Sequence, residues 1–218
     1  MANKFQKIAF TEAVKKAQEH YGTRKHYARF ESGHDTNDRI GDAEADFIEQ
    51  REGFYLATVS EDGQPYIQFR GGNPGFLKVI DERKLGFADF RGNLQYISVG
   101  NASVNKKAAL FLMDYANRRR LKILGEIEFH EAADRPDLIE KLADPEYEAK
   151  VERAAVIHVK GFDWNCPQHI TPRFTEAELA ELMAPLKQQV ERLQAENETL
   201  KVATASAQVL GRVPLNSS

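Results

Sequence analysis

Apolar and polar side chains alternate with the period of two that is typical of β-strands through the middle of this 218-residue chain. Seven strands are predicted from this pattern, at residues 54–60, 65–70, 76–80, 85–90, 107–114, 121–129 and 154–162. The pair Asp62-Gly63 predicts a hairpin between the first two strands, because both residues tolerate a positive φ angle. Short strands joined by tight turns favour a closed antiparallel barrel over a doubly wound sheet. The expected fold class is therefore mostly β with flanking helices.

Segments with a helical period surround these strands. Thr11 is placed to cap a helix over residues 11–21, and Asp42 is placed to cap another over residues 43–51. Shorter helices are predicted at residues 94–100, 135–142 and 147–152. Residues 23–40 are polar and show no period, which indicates a loop.

The last predicted helix, residues 176–200, has a different pattern. Its apolar side chains are spaced alternately by four and three residues, as at the a and d positions of a coiled coil. This seam consists of Leu179, Met183, Leu186, Val190, Leu193, Asn197 and Leu200. Asn197 falls at an a position, and Glu196 and Lys201 fall at g and e positions that could pair between parallel chains. The alternative is that the helix packs against its own barrel.

These elements divide the chain into four parts. Residues 1–40 are expected to form a helix and a loop that pack on the barrel, and residues 41–174 to form the barrel itself. Residues 175–201 form the amphipathic helix with its possible coiled coil. Residues 202–218 are small, polar and without period, which predicts a flexible tail.

Charge and composition argue against several classes of protein. The 30 Lys and Arg residues oppose 33 Asp and Glu, and the net charge of −3 disfavours a general affinity for nucleic acid or anionic membranes. The cluster Arg118-Arg119-Arg120 is then better explained as a hairpin tip. No apolar stretch approaches the roughly 20 residues of a membrane helix, and the N-terminus lacks the blocks of a secretory signal. With Cys166 as the only cysteine, no intrachain disulfide can form, and we expect a cytoplasmic protein.

Two turns that follow predicted strands combine arginine with glycine. They read Arg70-Gly71-Gly72 and Asp89-Phe90-Arg91-Gly92-Asn93. Glycine lets a ligand approach the backbone, and a guanidinium group binds anions. Arg91 with the N–H groups of Gly92 and Asn93 is therefore a candidate phosphate site. For Arg70 alone, the alternative is a strand-end turn whose arginine pairs with a surface carboxylate.

Other polar residues allow weaker hypotheses. Asn101 could donate to and accept from a ligand, whereas Asn105 is better explained as a turn cap. Cys166 and His169 have the spacing of half a zinc site or of a nucleophile and its base. The other histidines are scattered, and no oxyanion-hole signature occurs. We therefore predict a proline-containing loop without metal. The chain also contains no GxGxxG or GxxxxGK[ST] motif, so dinucleotide-fold and P-loop sites lack their diagnostic residues.

The two Arg/Gly turns and a segment near the C-terminus together resemble the pyridoxamine 5′-phosphate oxidase-like family, and most closely its flavin-nucleotide-binding branch. That segment reads Asn165-Cys166-Pro167-Gln168-His169-Ile170-Thr171-Pro172-Arg173. The resemblance implies an antiparallel split β-barrel that forms homodimers with FMN at the interface. It places the FMN ring beside Gln68, Phe69, Arg70 and Gly71. The phosphate is expected near Asp89, Phe90, Arg91, Gly92 and Asn93, with Asn101 close by. The C-terminal loop is expected to contribute Gln168, His169 and Arg173.

The resemblance implies an FMN-dependent oxidoreductase that acts on a small molecule by hydride transfer. The chain lacks the C-terminal Arg-x-His signature of true pyridoxamine phosphate oxidases, so oxidation of a vitamin B6 phosphate is not implied. Two alternatives remain. One is a flavin or haem carrier without turnover, and the other is an interaction scaffold that uses the C-terminal coiled coil.

Overall fold

A computed structural model of the chain describes residues 2–164 and 167–210, with the side chains of residues 205–210 excepted. The chain forms two compact units, Met1–Thr171 and Pro172–Ser218. In the described residues, all strands belong to the first unit, and the second consists mainly of one long helix.

The described part of the first unit contains nine strands. They are β1 Ala2–Asn3, β2 Asp35–Thr36, β3 Gly53–Val59, β4 Pro65–Gly71, β5 Lys78–Asp81, β6 Lys84–Phe90, β7 Lys107–Asp114, β8 Arg119–Glu131 and β9 Val151–Trp164. β1 and β2 form a short parallel pair that the sequence did not predict. β3 to β9 correspond to the seven predicted strands, with ends that differ by a few residues.

These seven strands form one sheet in which every pair is antiparallel, in the order β4-β3-β7-β8-β9-β6-β5. Within the described residues, the edge strands β4 and β5 do not pair with each other. The expectation of a closed barrel was therefore wrong in this respect, whereas the split β-barrel is confirmed.

The core lies inside the curved sheet, because alternate residues of each strand point inward. Phe54 and Leu56 of β3 and Leu110 and Leu112 of β7 are almost completely buried. Phe87 of β6 contacts Phe54 edge to face at 5.4 Å between ring centroids. Aromatic packing thus links strands from the two halves of the sheet.

Seven helices lie in the described residues. They are α1 Lys4–Ala9, α2 Glu12–His20, α3 Arg24–Ala28, α4 Asp42–Glu49, α5 Ile97–Val104, α6 Pro136–Leu142 and α7 Glu176–Leu210. Thr11 caps α2 as predicted, since its hydroxyl oxygen accepts from Val14 N at 3.4 Å. At α4 the N-cap is Gly41 instead of Asp42, and Glu44 Oε2 accepts from Gly41 N at 3.2 Å.

Three local expectations were wrong. Residues 23–40 contain α3 and β2 besides loop. The helix expected at residues 94–100 begins at Ile97, because Leu94 and Tyr96 adopt left-handed backbone conformations with φ of 63° and 52°. The helix expected at residues 147–152 is absent, since β9 begins at Val151. There, Arg91 N donates to Lys150 O at 2.8 Å, which holds the chain extended beside the end of β6.

The second unit contains α7, which continues to Leu210, beyond the predicted helix end at residue 200. Thr175 starts this helix with reciprocal bonds: Glu178 N donates to Thr175 Oγ1, and Thr175 N donates to Glu178 Oε2. Residues 202–210 of the expected tail are thus helical, and residues 211–218 lie outside the described part. None of the described helices, α7 included, has the length and apolar character needed to cross a membrane.

We predict that Gly125→Ala lowers the free energy of unfolding by about 1–3 kcal/mol. Gly125 lies at the register shift between β8 and β9, where an added Cβ would stand 2.7 Å from the backbone oxygen of His158. Gly100→Ala is the matched control, because an added Cβ there meets nothing within 4 Å and helix α5 should gain roughly 0.5–1 kcal/mol. Urea unfolding measures both, and equal stabilities would contradict this packing.

Candidate functional site

A buried carboxylate stands where the two Arg/Gly turns meet. Asp89 of β6 is 1% exposed. Its Oδ2 accepts a hydrogen bond from Arg153 Nε of β9 at 2.8 Å, and its Oδ1 lies 2.7 Å from Arg70 Nη1 of β4. The contact with Arg70 is an ion pair without hydrogen-bond alignment. One carboxylate thus joins three strands.

Strand periodicity and register place these three side chains. On β4, Gln68 and Arg70 alternate with the exposed Ile67 and Phe69 and therefore lie on the inner face. Asp89 and Arg153 are direct register partners of β6 and β9. Because β4 is one edge of the sheet and β6 lies next to the other, the pair of Arg70 and Asp89 spans the opening of the split barrel.

The buried charges of this cluster are stabilised by ion pairs between its arginine and carboxylate side chains. Burial disfavours the charged form of Arg153, but its hydrogen bond to Asp89 and the neighbouring carboxylates outweigh burial, so the pKa of Arg153 is raised. Arg153 Nη2 also donates to Glu152 Oε2 at 3.0 Å. The pairing of Arg70 is less complete, since its Nε is buried and has no hydrogen-bond partner among the residues that the structure describes. A buried donor without an acceptor is costly, and an acceptor brought by a ligand would remove that cost.

The second turn begins directly after Asp89 and Phe90. Arg91 is about half exposed, and its Nε lies 3.4 Å from Glu152 Oε1. Beside it, the space that a Cβ would occupy at Gly92 is empty to 4 Å. Asn93 Oδ1 accepts from Gln95 N at 3.2 Å, which shapes the turn. The guanidinium of Arg91 and the backbone of Gly92 are thus accessible to a ligand.

This turn leads into the N-terminus of α5 through unusual backbone conformations. Leu94 and Tyr96 both have left-handed φ angles, which bulky residues rarely adopt. Tyr96 is the N-cap of α5 and gives it no side-chain hydrogen bond. The ring of Tyr96 is held under the guanidinium of Arg153 at 5.0 Å. The positive end of α5 therefore adjoins Arg91 without a capping side chain.

Two of the predicted residues tie α5 to the barrel. Gln68 Nε2 donates to the buried hydroxyl of Ser98. Asn101 Nδ2 donates to Thr58 Oγ1 of β3 at 3.0 Å, with both groups buried. The amide nitrogens of Gln68 and Asn101 are thus engaged within the protein and hold α5 beside the turn.

Two cavities border the Arg70-Gly71-Gly72 turn, and Gly72 and Tyr147 line both of them. One has a volume of about 310 Å³ and is lined mainly by Asn73, Pro74, Gly75, Phe76, Lys78, Phe90, Leu142 and Asp144. The other has a volume of about 330 Å³ and includes Phe69 and Gly71. Phe90 stacks on Tyr147 at 5.0 Å between ring centroids. Each cavity reaches the lower end of the range typical of small-molecule sites, roughly 300–1,000 Å³.

Two of the remaining predicted residues, Gln168 and His169, are not joined to this cluster by the contacts that the structure describes. Gln168 and His169 are exposed in the turn after β9, and neither forms a hydrogen bond or ion pair with the other predicted residues described here. Arg173 is exposed and belongs to the second unit. Cys166 lies outside the described residues. Among the residues that are described, no group of three His, Cys, Asp or Glu side chains is arranged to hold a metal ion.

Three residues of this region, Tyr147, Glu152 and Arg153, were not predicted from the sequence as part of the site. The sequence gives only a weak indication of Arg153, as a charged residue one position before the apolar run of β9. Its pairing with Asp89 depends on the register of β6 and β9, which a single sequence does not reveal. Tyr147 was assigned to a helix that does not exist, so its place beside Phe90 could not be inferred.

Comparisons with known proteins agree with this architecture. The sequence model of the family described as pyridoxamine 5′-phosphate oxidase matches residues 40–163, more than half of the chain. None of the curated proteins compared with the chain matches it.

Two solved structures illustrate the similarity. An FMN-binding protein from Syntrophomonas wolfei is 15% identical with a TM-score of 0.44, and the match covers 68% of this chain and 97% of that one. HupZ from Group A Streptococcus is 17% identical with a TM-score of 0.43, and the match covers 62% of this chain and 99% of that one. The family assignment depends on the sequence model and not on these structures.

We predict that Asp89→Ala lowers the free energy of unfolding by about 3–5 kcal/mol, because it leaves two largely buried guanidinium groups without their shared carboxylate. Arg91→Ala is the control, since its side chain is half exposed and its removal should change stability by only about 0.5 kcal/mol. Denaturant unfolding of the three proteins tests this. A loss in Asp89→Ala no larger than in Arg91→Ala would show that the buried cluster does not support the fold.

Proposed function

Because this chain belongs to the pyridoxamine 5′-phosphate oxidase family, we propose that it binds FMN at the end of the barrel where β4 and β6 finish. The observation that supports this best is the turn at Arg91. It combines an accessible guanidinium group, an open glycine and the uncapped positive end of α5. These are the features that bind a phosphate monoester.

The residues around Arg70 fit the other end of the same ligand. Arg70 Nε is a buried donor without a partner, and the polar edge of a flavin ring carries acceptors that suit it. The two cavities at Gly72 supply aromatic walls in Phe69, Phe90 and Tyr147. In this assignment Asp89 contacts no phosphate. It neutralises and orients Arg70 and Arg153 instead.

We further propose that the protein is an FMN-dependent oxidoreductase that acts on a small molecule. FMN supplies hydride and electron transfer when bound. The chain contributes the positioning of the phosphate through Arg91, the contact of Arg70 with the ring edge, and partly enclosed aromatic walls that limit water.

A flavin or haem carrier without turnover is the alternative. Anaerobic reduction of the FMN-loaded protein by NADH or NADPH, followed by reoxidation with oxygen or a quinone, separates the two. A carrier would hold its cofactor without reacting with either nicotinamide donor.

The outer face of the sheet supports the homodimer that the resemblance implies. A groove of about 420 Å³ on this face is lined largely by apolar residues of β3, β4, β7 and β8, among them Tyr55, Ile67 and Phe111. Ile67 and the neighbouring Phe69 are 62% and 60% exposed. Such a continuous apolar patch is typical of an interface, and we propose that a second copy of the chain covers it. Strand β4 would then present Ile67 to the partner and Arg70 to the ligand.

We predict that Arg91→Ala weakens FMN binding by about 10- to 100-fold, because the phosphate loses a charge-assisted partner worth roughly 1.5–3 kcal/mol. Riboflavin has no phosphate, so its affinity should change little. Fluorescence titration of both ligands measures the two effects.

Lys16→Ala is the matched control, since it removes one exposed positive charge from α2, away from the turn. Equal losses for FMN and riboflavin in Arg91→Ala would show that Arg91 does not bind the phosphate. An unchanged FMN affinity would remove Arg91 from the site altogether.

We also predict that Ile67→Glu raises the dissociation constant of the dimer at least about tenfold, because it buries a charge in the apolar groove. Val104→Glu is the control, since Val104 is 61% exposed on α5 and does not line the groove. Sedimentation over a range of concentrations gives both constants. If Ile67→Glu associates as the control does, the dimer uses another face.

A further inference from the structure

Helix α7 of the second unit carries an apolar seam whose side chains are largely exposed. The seam residues Leu179, Met183, Leu186, Val190, Leu193 and Leu200 are between 39% and 66% exposed. Side chains of this size on one side of a helix are normally buried, since each gains roughly 1.5–3 kcal/mol on leaving water. The seam therefore indicates a partner.

The residue types along the seam indicate how many helices associate and whether they run parallel or antiparallel. Leucine occupies four successive d positions, and Val190 occupies an a position, a combination that favours two strands. Asn197 occupies the next a position. In a parallel pair in register, its amide meets the same amide of the other chain. In an antiparallel pair it would face a leucine, and its polar groups would stay unpaired.

The flanking charges agree with a parallel arrangement. Glu196 at g and Lys201 at the following e position have the spacing of an ion pair between parallel chains. Within one chain, these groups make only exposed contacts, from Arg192 to Glu196 at 3.5 Å and from Lys201 to Glu198 at 2.9 Å. Both side chains are thus accessible for pairing across the seam.

The proline inside α7 does not interrupt the seam. Pro185 falls at a c position, on the side of the helix away from a and d. It lacks one backbone N–H donor, and the helix continues from Leu186 to Leu210. The longest uninterrupted part of the seam therefore follows Pro185 and includes Val190, Leu193, Asn197 and Leu200.

We propose that α7 pairs with the α7 of a second copy of this chain as a parallel, in-register, two-stranded coiled coil. This pairing buries the leucine seam, satisfies Asn197 with its symmetry mate and uses the charges at g and e. It is independent of any bound flavin. Because the two parallel helices pair in register, the coiled coil itself has two-fold symmetry.

Disulfide cross-linking tests the arrangement directly, because Cys166 is the only native cysteine. In the Cys166→Ser background, Leu186→Cys and Leu200→Cys each place a thiol at a d position. Facing d positions in a parallel pair have Cα atoms within the roughly 4.4–6.8 Å that a disulfide requires. Ala195→Cys is the control at an outward f position. We expect each d variant to form disulfide-linked dimers at least about tenfold faster than the control.

Three outcomes would overturn the proposal. Equal rates of disulfide formation for the d variants and Ala195→Cys would show that the thiols meet only by random collision of chains. No dimer in either d variant would show that the seam is covered by its own chain or by another protein. Cross-linking only in a mixture of the Leu186→Cys protein with an Asn197→Cys protein in the same background would show an antiparallel pair, in which d positions face a positions.

Discussion

The structure depends on one buried carboxylate. Among the described residues, the seven-stranded sheet is open between β4 and β5, and no backbone ladder closes it. Asp89 joins β4 to β6 and β9 through Arg70 and Arg153. Burying three charged groups is favourable only when their geometry pairs them, and here each carboxylate oxygen faces a different guanidinium. Some of the side chains that join the two halves of the split barrel thus also border the candidate ligand site.

This arrangement separates two roles that arginine has in the molecule. Arg153 is fully engaged, because it contacts Asp89, Glu152 and the ring of Tyr96. Arg70 retains a buried donor without a partner, and Arg91 is half exposed beside an open glycine. The first arginine supports the fold, and the other two have capacity left for a ligand. FMN binding in this family member would then build on a charge network that already exists in the protein.

Much of this could be predicted from the sequence, because the strand period and the Arg/Gly turns are local features. The period placed Gln68 and Arg70 on one strand and Asp89 at the end of another. What could not be predicted depends on contacts between distant segments. The pairing of Asp89 with Arg153 follows from the register of β6 and β9, and the position of Tyr147 follows from the segment that leads into β9. The start of α5 was misplaced because Leu94 and Tyr96 adopt conformations that their residue types disfavour.

FMN binding is tested most directly by the absorption spectrum of the purified full-length protein after incubation with FMN and removal of free ligand. We expect the paired near-ultraviolet and blue bands of oxidised flavin, at about one FMN for each chain, because each chain has one phosphate site at Arg91 and Gly92. A protein that remains colourless after this treatment, or that shows only a Soret band, would contradict it.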